Sequence, residues 1–312
     1  MKHRLGTILA LLAFLLVGCD DCDCPTCPTD EPEPERGYEM LYSYVGMEDY
    51  WVYTYSTKTG EVLDSVRYGN YPFSDVIVSP DGQYGYYTVR SVDLEGGYAT
   101  WVTDYADGDT LAFTGGLGGY SLALSKDGRF LATANARDLT IFEVPSLSVV
   151  FSGPDFQPGI ADFHYERNVL YVPLREEDSL LVVDLRVDPP AASKCQLRGL
   201  GGGELHGLAV VYASAENMLV LRAAYFNRYT LQLLDADSLT AVAEMPAQLS
   251  EPYVHPDGRR VFFYTKWNEI GTVPATVWML DVSTRVLRKL LSADGIGLPV
   301  EYFPGLSPFG FD

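Results

Sequence analysis

The chain has 312 residues, enough for one large domain or two ordinary ones. Its 22 Lys and Arg against 42 Asp and Glu give a formal charge of -20, which excludes general affinity for nucleic acid or anionic lipid headgroups unless a basic patch is segregated locally. The 22 Tyr and 29 Gly favour aromatic strands joined by Gly-rich turns, an all-β chain rather than a helical one.

Lys2, His3 and Arg4 form a positive start, and residues 5–17 are apolar. That run is short for a membrane span and suits the core of a signal peptide. It ends at Leu16-Val17-Gly18-Cys19, with a small residue just before a cysteine. This ending resembles the lipobox of bacterial lipoproteins. The resemblance implies a signal peptide over residues 1–18, cleavage before Cys19, diacylation of its thiol and acylation of its new amino group. Cys19 then anchors the mature chain, with palmitate among the expected acyl groups, and several acyl chains attach stably to a membrane. Asp20 and Asp21 follow. In enterobacterial lipoproteins an Asp at that second position resembles an inner-membrane retention signal, but the rule varies between bacteria. The expected location is therefore the cell envelope, facing the periplasm or the cell surface.

Residues 19–36 are dominated by prolines and acids and hold no large apolar side chain after the anchor, so a disordered acidic tether is expected. Cys22, Cys24 and Cys27 lie in it without the second Cys or His pair of a closed zinc site. In an oxidising compartment they form disulfides or have no role. Cys195 stands alone and is expected to be a small buried hydrophobe.

From Gly37 onward, short runs rich in Val, Tyr, Leu and Phe alternate with turns of Gly, Asp, Asn and Pro, and no long helical period appears. One turn recurs. It is clearest as Ser79-Pro80-Asp81-Gly82, Ser125-Lys126-Asp127-Gly128 and His255-Pro256-Asp257-Gly258. Worn copies stand at 165–168 and 213–217, and a last one at 307–310. Copies fall about 40 to 50 residues apart, the length of a four-stranded propeller blade. In this turn Pro presets φ, Asp caps through its carboxylate and Gly takes a positive φ. A second corner, between third and fourth strands, repeats at Asp235-Ala236-Asp237-Ser238-Leu239 and Asp281-Val282-Ser283-Thr284-Arg285.

The run Gly69-Asn70-Tyr71-Pro72-Phe73-Ser74-Asp75-Val76-Ile77-Val78-Ser79-Pro80-Asp81-Gly82 resembles the YVTN-type β-propellers, relatives of the WD-repeat proteins. That resemblance covers about residues 38–312 and implies a β-propeller domain over 37–312. The Trp-Asp pair of true WD repeats is absent, so their partner rules do not carry over. Three strands precede the first turn copy, near 38–45, 50–56 and 61–68, and one strand near 299–309 accompanies the last copy. Together they make one blade closed by both chain ends, which gives six blades; seven, at about 39 residues each, is the alternative.

Constellations for chemistry are few. His164 and His206 lie at or beside innermost strands without a partner at metal-ligand spacing, and read as structural polar contacts. Asp104, Asp107 and Asp109 lack the twelve-residue calcium loop and its terminal Glu, and read as a strand-to-strand turn. Gly199 to Gly203 opens no helix, so it offers no phosphate cradle. No catalytic residue, metal site or cofactor is assigned.

One pattern points to binding. Second strands end near Arg90, Arg137, Arg175, Arg222 and Lys266, with Tyr225, Arg228 and Trp267 nearby. The corners from second to third strand share one face of a propeller. Five basic residues there would focus positive potential on an otherwise acidic body, and arginine binds carboxylate or phosphate bidentately. Alternatively the acids that follow them, Asp93, Glu95, Asp138, Glu176, Glu177 and Asp178, neutralise them locally. The expected function is a lipid-anchored binding or scaffold module for a protein or an anionic small molecule. A propeller enzyme, lactonase-like, otherwise hydrolytic or quinoprotein-like, with its site at the central channel, is the alternative.

Overall fold

The recurring turn folds as its composition dictates. At 79–82 the Ser79 hydroxyl donates to the Asp81 carboxylate, which also accepts the Gln83 N–H at 3.1 Å. The Tyr84 N–H donates to Ser79 Oγ at 2.9 Å, and Gly82 sits at φ 71°. Ser125, Asp127, Arg129, Phe130 and Gly128 reproduce this set, with Gly128 at φ 67°. In the third copy Asp257 accepts the Arg259 and Arg260 N–H groups, and Gly258 again has φ 67°. Two eroded copies keep the backbone and change the side chains. His164 N–H donates to Val169 O at 2.8 Å, as Ser125 N–H does to Phe130 O. Asn217 takes the left-handed place of glycine at φ 51°, since Asn tolerates that region best among residues with a Cβ.

The computed structural model describes residues 39–45, 50–56, 62–67, 73–90, 98–104, 109–115, 119, 121–199, 205–225, 228–246, 249, 252–254, 257–264, 276–292 and 306–307. The expected signal peptide, Cys19, the expected tether and its cysteines, His255 and Pro256, Lys266 and Trp267, and residues 308–310 of the last turn copy lie outside the described residues.

The described strands form four-stranded antiparallel sheets, six in all, each built from neighbours in sequence with one exception. That exception joins the chain ends: β1 (Glu39–Val45), β2 (Tyr50–Ser56) and β3 (Val62–Arg67) are completed by β24 (Leu306–Ser307), which pairs antiparallel with β1 through Leu41 and Tyr42. The second sheet is β4 (Phe73–Val78), β5 (Tyr84–Arg90), β6 (Tyr98–Asp104) and β7 (Thr110–Gly115). The third is β8 (Ser121–Leu124), β9 (Phe130–Ala134), β10 (Leu139–Glu143) and β11 (Ser148–Gly153). The fourth is β12 (Asp162–Phe163), β13 (Val169–Leu174), β14 (Ser179–Asp184) and β15 (Ala191–Gln196). The fifth is β16 (His206–Ala213), β17 (Met218–Tyr225), β18 (Arg228–Asp235) and β19 (Ala241–Pro246). The sixth is β20 (Tyr253–Val254), β21 (Arg260–Tyr264), β22 (Thr276–Asp281) and β23 (Val286–Ser292).

First strands touch first strands in sequence order, β4 to β8, β8 to β12, β12 to β16 and β16 to β20. The core lies between sheets rather than within a single layer. Tyr86 and Val102 of the second sheet pack on Leu131 and Phe142 of the third. Phe130 and Ile141 of the third meet Leu170 and Leu181 of the fourth. Tyr171 and Leu180 meet Leu219 and Leu221, and Leu231 and Leu233 meet Val261 and Phe263. Strands covered on both faces read as unbroken apolar runs, and β9 and β13 are buried at every residue. The outermost strands β7, β11 and β15 are largely exposed. Cys195 belongs to one of these. It is half-exposed on β15, not the buried hydrophobe its isolation in the sequence implied, because β15 has no sheet stacked beyond it.

Most third-to-fourth hairpins carry a bulge, seen in the register of β2–β3, β6–β7, β10–β11, β18–β19 and β22–β23. At three of these corners a left-handed residue with a Cβ closes the turn: Leu147, Leu239 and Arg285, at φ 57°, 55° and 58°. Each stands four residues after an acid, Glu143, Asp235 or Asp281. Asp235 and Asp281 cap their corners by accepting the Ser238 and Thr284 N–H groups.

Candidate functional site

Strand order puts the recurring turns at one end of the second strands and the second-to-third corners at the other. The turn end is occupied with its own contacts. Lys126 Nζ lies 3.6 Å from the centre of the Tyr165 ring, and Asn168 donates to Asp127 at 3.2 Å. Asp237 accepts from Arg167 at 2.7 Å and from Asn217 at 2.9 Å. Ala215 N–H donates to Gly258 O, and Ser283 donates to Glu216 at 2.6 Å. The turns of the third, fourth and fifth sheets thus each clasp the next sheet, so these polar groups serve the fold. His164 belongs to this belt. It is buried, its Nδ1 accepts the Glu166 N–H at 3.2 Å, and its ring stacks on Tyr212 at 4.2 Å. Burial holds its pKa below the usual histidine range.

The opposite end brings two of the expected basic residues together. Arg137 lies in the β9–β10 turn, where Asn135 Oδ1 accepts the Arg137 and Asp138 N–H groups at 2.8 and 2.7 Å. Arg175 follows β13 directly. Between them runs the segment that links β11 to β12. Gln157 N–H donates to Arg137 O at 3.0 Å, and Arg175 N–H donates to Gln157 O at 3.0 Å. The Asp155 N–H donates to the Asp138 carboxylate, and Gly159 N–H donates to Pro173 O at 2.7 Å. Asp155 and Gln157 hold left-handed φ values of 60° and 47°. Gly159 has no room for a side chain, since a Cβ there would lie 2.3 Å from Leu208 O. Arg137 and Arg175 are both exposed.

Three of the acids that follow these arginines, Asp138, Glu177 and Asp178, have contacts elsewhere. Asp138 receives the Asn135 amide and the Asp155 N–H. Glu177 pairs with Lys194 of β15 at 2.7 Å. Asp178 faces His206 of the next sheet, Nδ1 to Oδ1 3.3 Å.

The other candidates separate. Arg222 does not end its strand: β17 runs three residues further because it pairs in unbroken register with β18 out to Tyr225 and Arg228. Arg222 therefore lies within the sheet, paired with Ala209 and Leu231, with its guanidinium 4.8 Å from the centre of the Tyr229 ring. Tyr225 and Arg228 face each other across the β17–β18 tip, and Arg90 closes β5 opposite Tyr98. Asp104 and Asp109 flank the β6–β7 turn, where Asp104 N–H donates to Asp109 O at 2.9 Å. Among the described residues no three of His, Cys, Asp and Glu are grouped to hold a metal ion.

Two features escaped the sequence. One is Gln157, an unremarkable polar residue in a linker. The other is Asp162, whose carboxylate accepts the Phe163 N–H and, across the sheet boundary, the Tyr212 N–H, both at 2.8 Å. It continues a parallel contact between β12 and β16 in which Ile160 N–H donates to Leu208 O and Val210 N–H to Ile160 O. Burial pushes its pKa up to about 7, against the effect of the two N–H donors.

No protein-family model matches the chain, and no curated protein matches it in sequence. Its architecture does have counterparts among solved structures. TolB from Acinetobacter baumannii aligns with a TM-score of 0.57 at 14% identity, over 81% of this chain and 63% of that one. The β-propeller domain of Myceliophteria thermophila Cps50 (Swd1) aligns at 0.54 and 14% identity, over 69% of each chain. The dihydro-heme d1 dehydrogenase NirN, in complex with DHE, aligns at 0.54 and 16% identity, over 86% of this chain and 56% of that one. At these identities the comparison speaks for fold alone, and the fold is a β-propeller.

Proposed function

We propose that the chain is a lipid-anchored, six-bladed β-propeller of the bacterial cell envelope that acts as a binding module. The anchor is Cys19, residues 20–36 are the tether, and the binding face is the one that bears the second-to-third corners. One observation carries the choice of face: Arg137 and Arg175, from consecutive sheets and both exposed, are joined through the main chain of Gln157. At the turn end described charged groups are engaged with one another, Arg167 with Asp237 between sheets and Arg129 with Glu143 and Arg259 with Asp281 within them.

The face is tested by the double substitution Arg137→Glu, Arg175→Glu, with retention of envelope proteins by wild type and variant compared after cross-linking in cells. Loss of the same cross-linked species, with circular dichroism unchanged, supports the reading. Unchanged cross-linking rejects it. The anchor is tested separately by Cys19→Ser, which is expected to move the protein from the membrane fraction to the soluble fraction.

A further inference from the structure

We infer that His164 is an acid-sensitive latch: a proton taken up by its ring unlocks the turn that clasps the fourth sheet to the fifth. The latch lies at the turn end and stands or falls independently of the binding face proposed above.

It rests on a change of residue type at a repeated position. In two sister turns a serine stands here, and its hydroxyl accepts the N–H five residues on, from Tyr84 at 2.9 Å and from Phe130 at 2.8 Å. The same hydroxyl donates to the aspartate two residues on. A hydroxyl keeps both roles through the neutral and mildly acidic range. In the fourth sheet His164 retains the main-chain bond to Val169, but its side chain closes the turn differently. Its Nδ1 accepts the Glu166 N–H at 3.2 Å. Nδ1 can accept only while it carries no proton, so the closed turn holds the neutral ring with its hydrogen on Nε2. A second proton has to go to Nδ1, where the Glu166 N–H already points. Two donors then face each other, and the turn must open to separate them.

The groups displaced are the ones that reach the fifth sheet. Arg167, next after Glu166, donates to Asp237 of the β18–β19 corner at 2.7 Å. The His164 ring itself stacks on Tyr212 of β16 at 4.2 Å and lies 6.4 Å from Tyr171 of β13. The charges around the ring do not rescue the imidazolium. Glu166 and Asp237 favour it and Arg167 opposes it, while burial of the ring outweighs them all. Other nearby charges have partners. Lys126 and Asp127 of the third sheet's turn meet Tyr165 and Asn168, Glu216 accepts from Ser283, and Asp184 pairs with Arg186. On the same strand Asp162 accepts the Phe163 and Tyr212 N–H groups.

The closed turn excludes the proton, and the open turn takes it with the ordinary histidine pKa of 6.5. The closed state is therefore fully favoured above that pH and loses ground as the pH falls below it. At pH 5 the opening equilibrium should have risen about 30-fold, the ratio of imidazolium to imidazole in the open turn. Asp162 responds in the opposite sense, since acid strengthens its site, so it cannot mimic this loss.

Hydrogen exchange of the intact protein at pH 7.5 and pH 5 tests the latch, with each rate divided by the intrinsic chemical rate at that pH. Protection of residues 164–170 is expected to fall by about 30-fold relative to residues 125–131, where serine holds the same place. His164→Asn puts an amide oxygen where Nδ1 stands and does not titrate, so it should remove the acid-dependent fall. His164→Ser, the residue of the sister turns, should do the same and serves if the asparagine variant does not fold. Equal changes in the two turns of the wild type overturn the inference, and so does a fall that persists in either folded variant.

Discussion

Asp162 offers the sharpest physical test of how the sheets are joined. Its carboxylate stands where sister blades have Ile77, Ala123 and Tyr212, two residues before the recurring turn. Burial raises its pKa from 3.8 to about 7. At about 1.4 kcal/mol per unit this amounts to about 4 kcal/mol, an upper figure that relaxation of the site will reduce. The folded state binds this proton more tightly than the unfolded chain. The stability it contributes is therefore fully present below about pH 4 and is lost as pH rises through about 7. Asp162→Asn removes the titration. Its carbonyl oxygen can still accept the Tyr212 N–H, but its amide N–H groups then face the Phe163 N–H, at a cost of about 1–3 kcal/mol that does not vary with pH. The variant should thus be the less stable protein at pH 4.5 and should gain on the wild type by up to about 4 kcal/mol by pH 8. Urea unfolding followed by tryptophan fluorescence at pH 4.5, 6 and 8 measures this directly. A wild-type minus variant difference that stays constant across that range would refute the assignment of a proton to this junction.

Two further outcomes follow from backbone geometry. Arg285 is exposed and left-handed, so Arg285→Gly relieves about 1–2 kcal/mol of backbone cost and returns about half of it as unfolded-state entropy. A gain of about 0.5–1 kcal/mol in chemical denaturation is expected, and a loss would mean the corner depends on the arginine side chain. Gly159→Ala drives a methyl group into Leu208 O, so the fourth and fifth sheets must part. A loss of about 3 kcal/mol is expected, with hydrogen exchange rising first in β12 and β16.

The fold was legible because propeller strands are local. Each sheet forms from neighbours in sequence, and each hairpin is announced by residues whose φ or capping chemistry admits little else. Gly82, Gly128 and Gly258 mark the first corner, and Asp235 and Asp281 mark the last. Even the joining of the chain ends could be argued by counting strands before Ser79 and after Ser307, and the pairing of β24 with β1 follows that count. Strand ends were less legible. Arg222 was expected near the end of its strand, but continuous pairing with β18 carries β17 past it. Cys195 was misplaced because hydrophobicity alone does not distinguish an inner strand from an outermost one.

The candidate site was only half visible. Arg137 and Arg175 stand out as basic residues in an acidic chain, each a short step past a second strand. Their relation was hidden. Gln157 lies 20 residues from one and 18 from the other, and its role rests on main-chain groups that every residue but proline possesses. Asp162 shows the same limit from the side of energetics. In the sequence it is one polar residue in a short strand, and only the approach of β16 turns it into a half-buried acceptor between sheets. By itself the sequence determined the hairpins, their register and the period, because those depend on φ preferences and on contacts a few residues apart. The tertiary structure alone decided which corners adjoin and which carboxylate lies between sheets. Those depend on how consecutive sheets stack, and stacking is set by the apolar faces of whole strands rather than by any residue that marks its own partner.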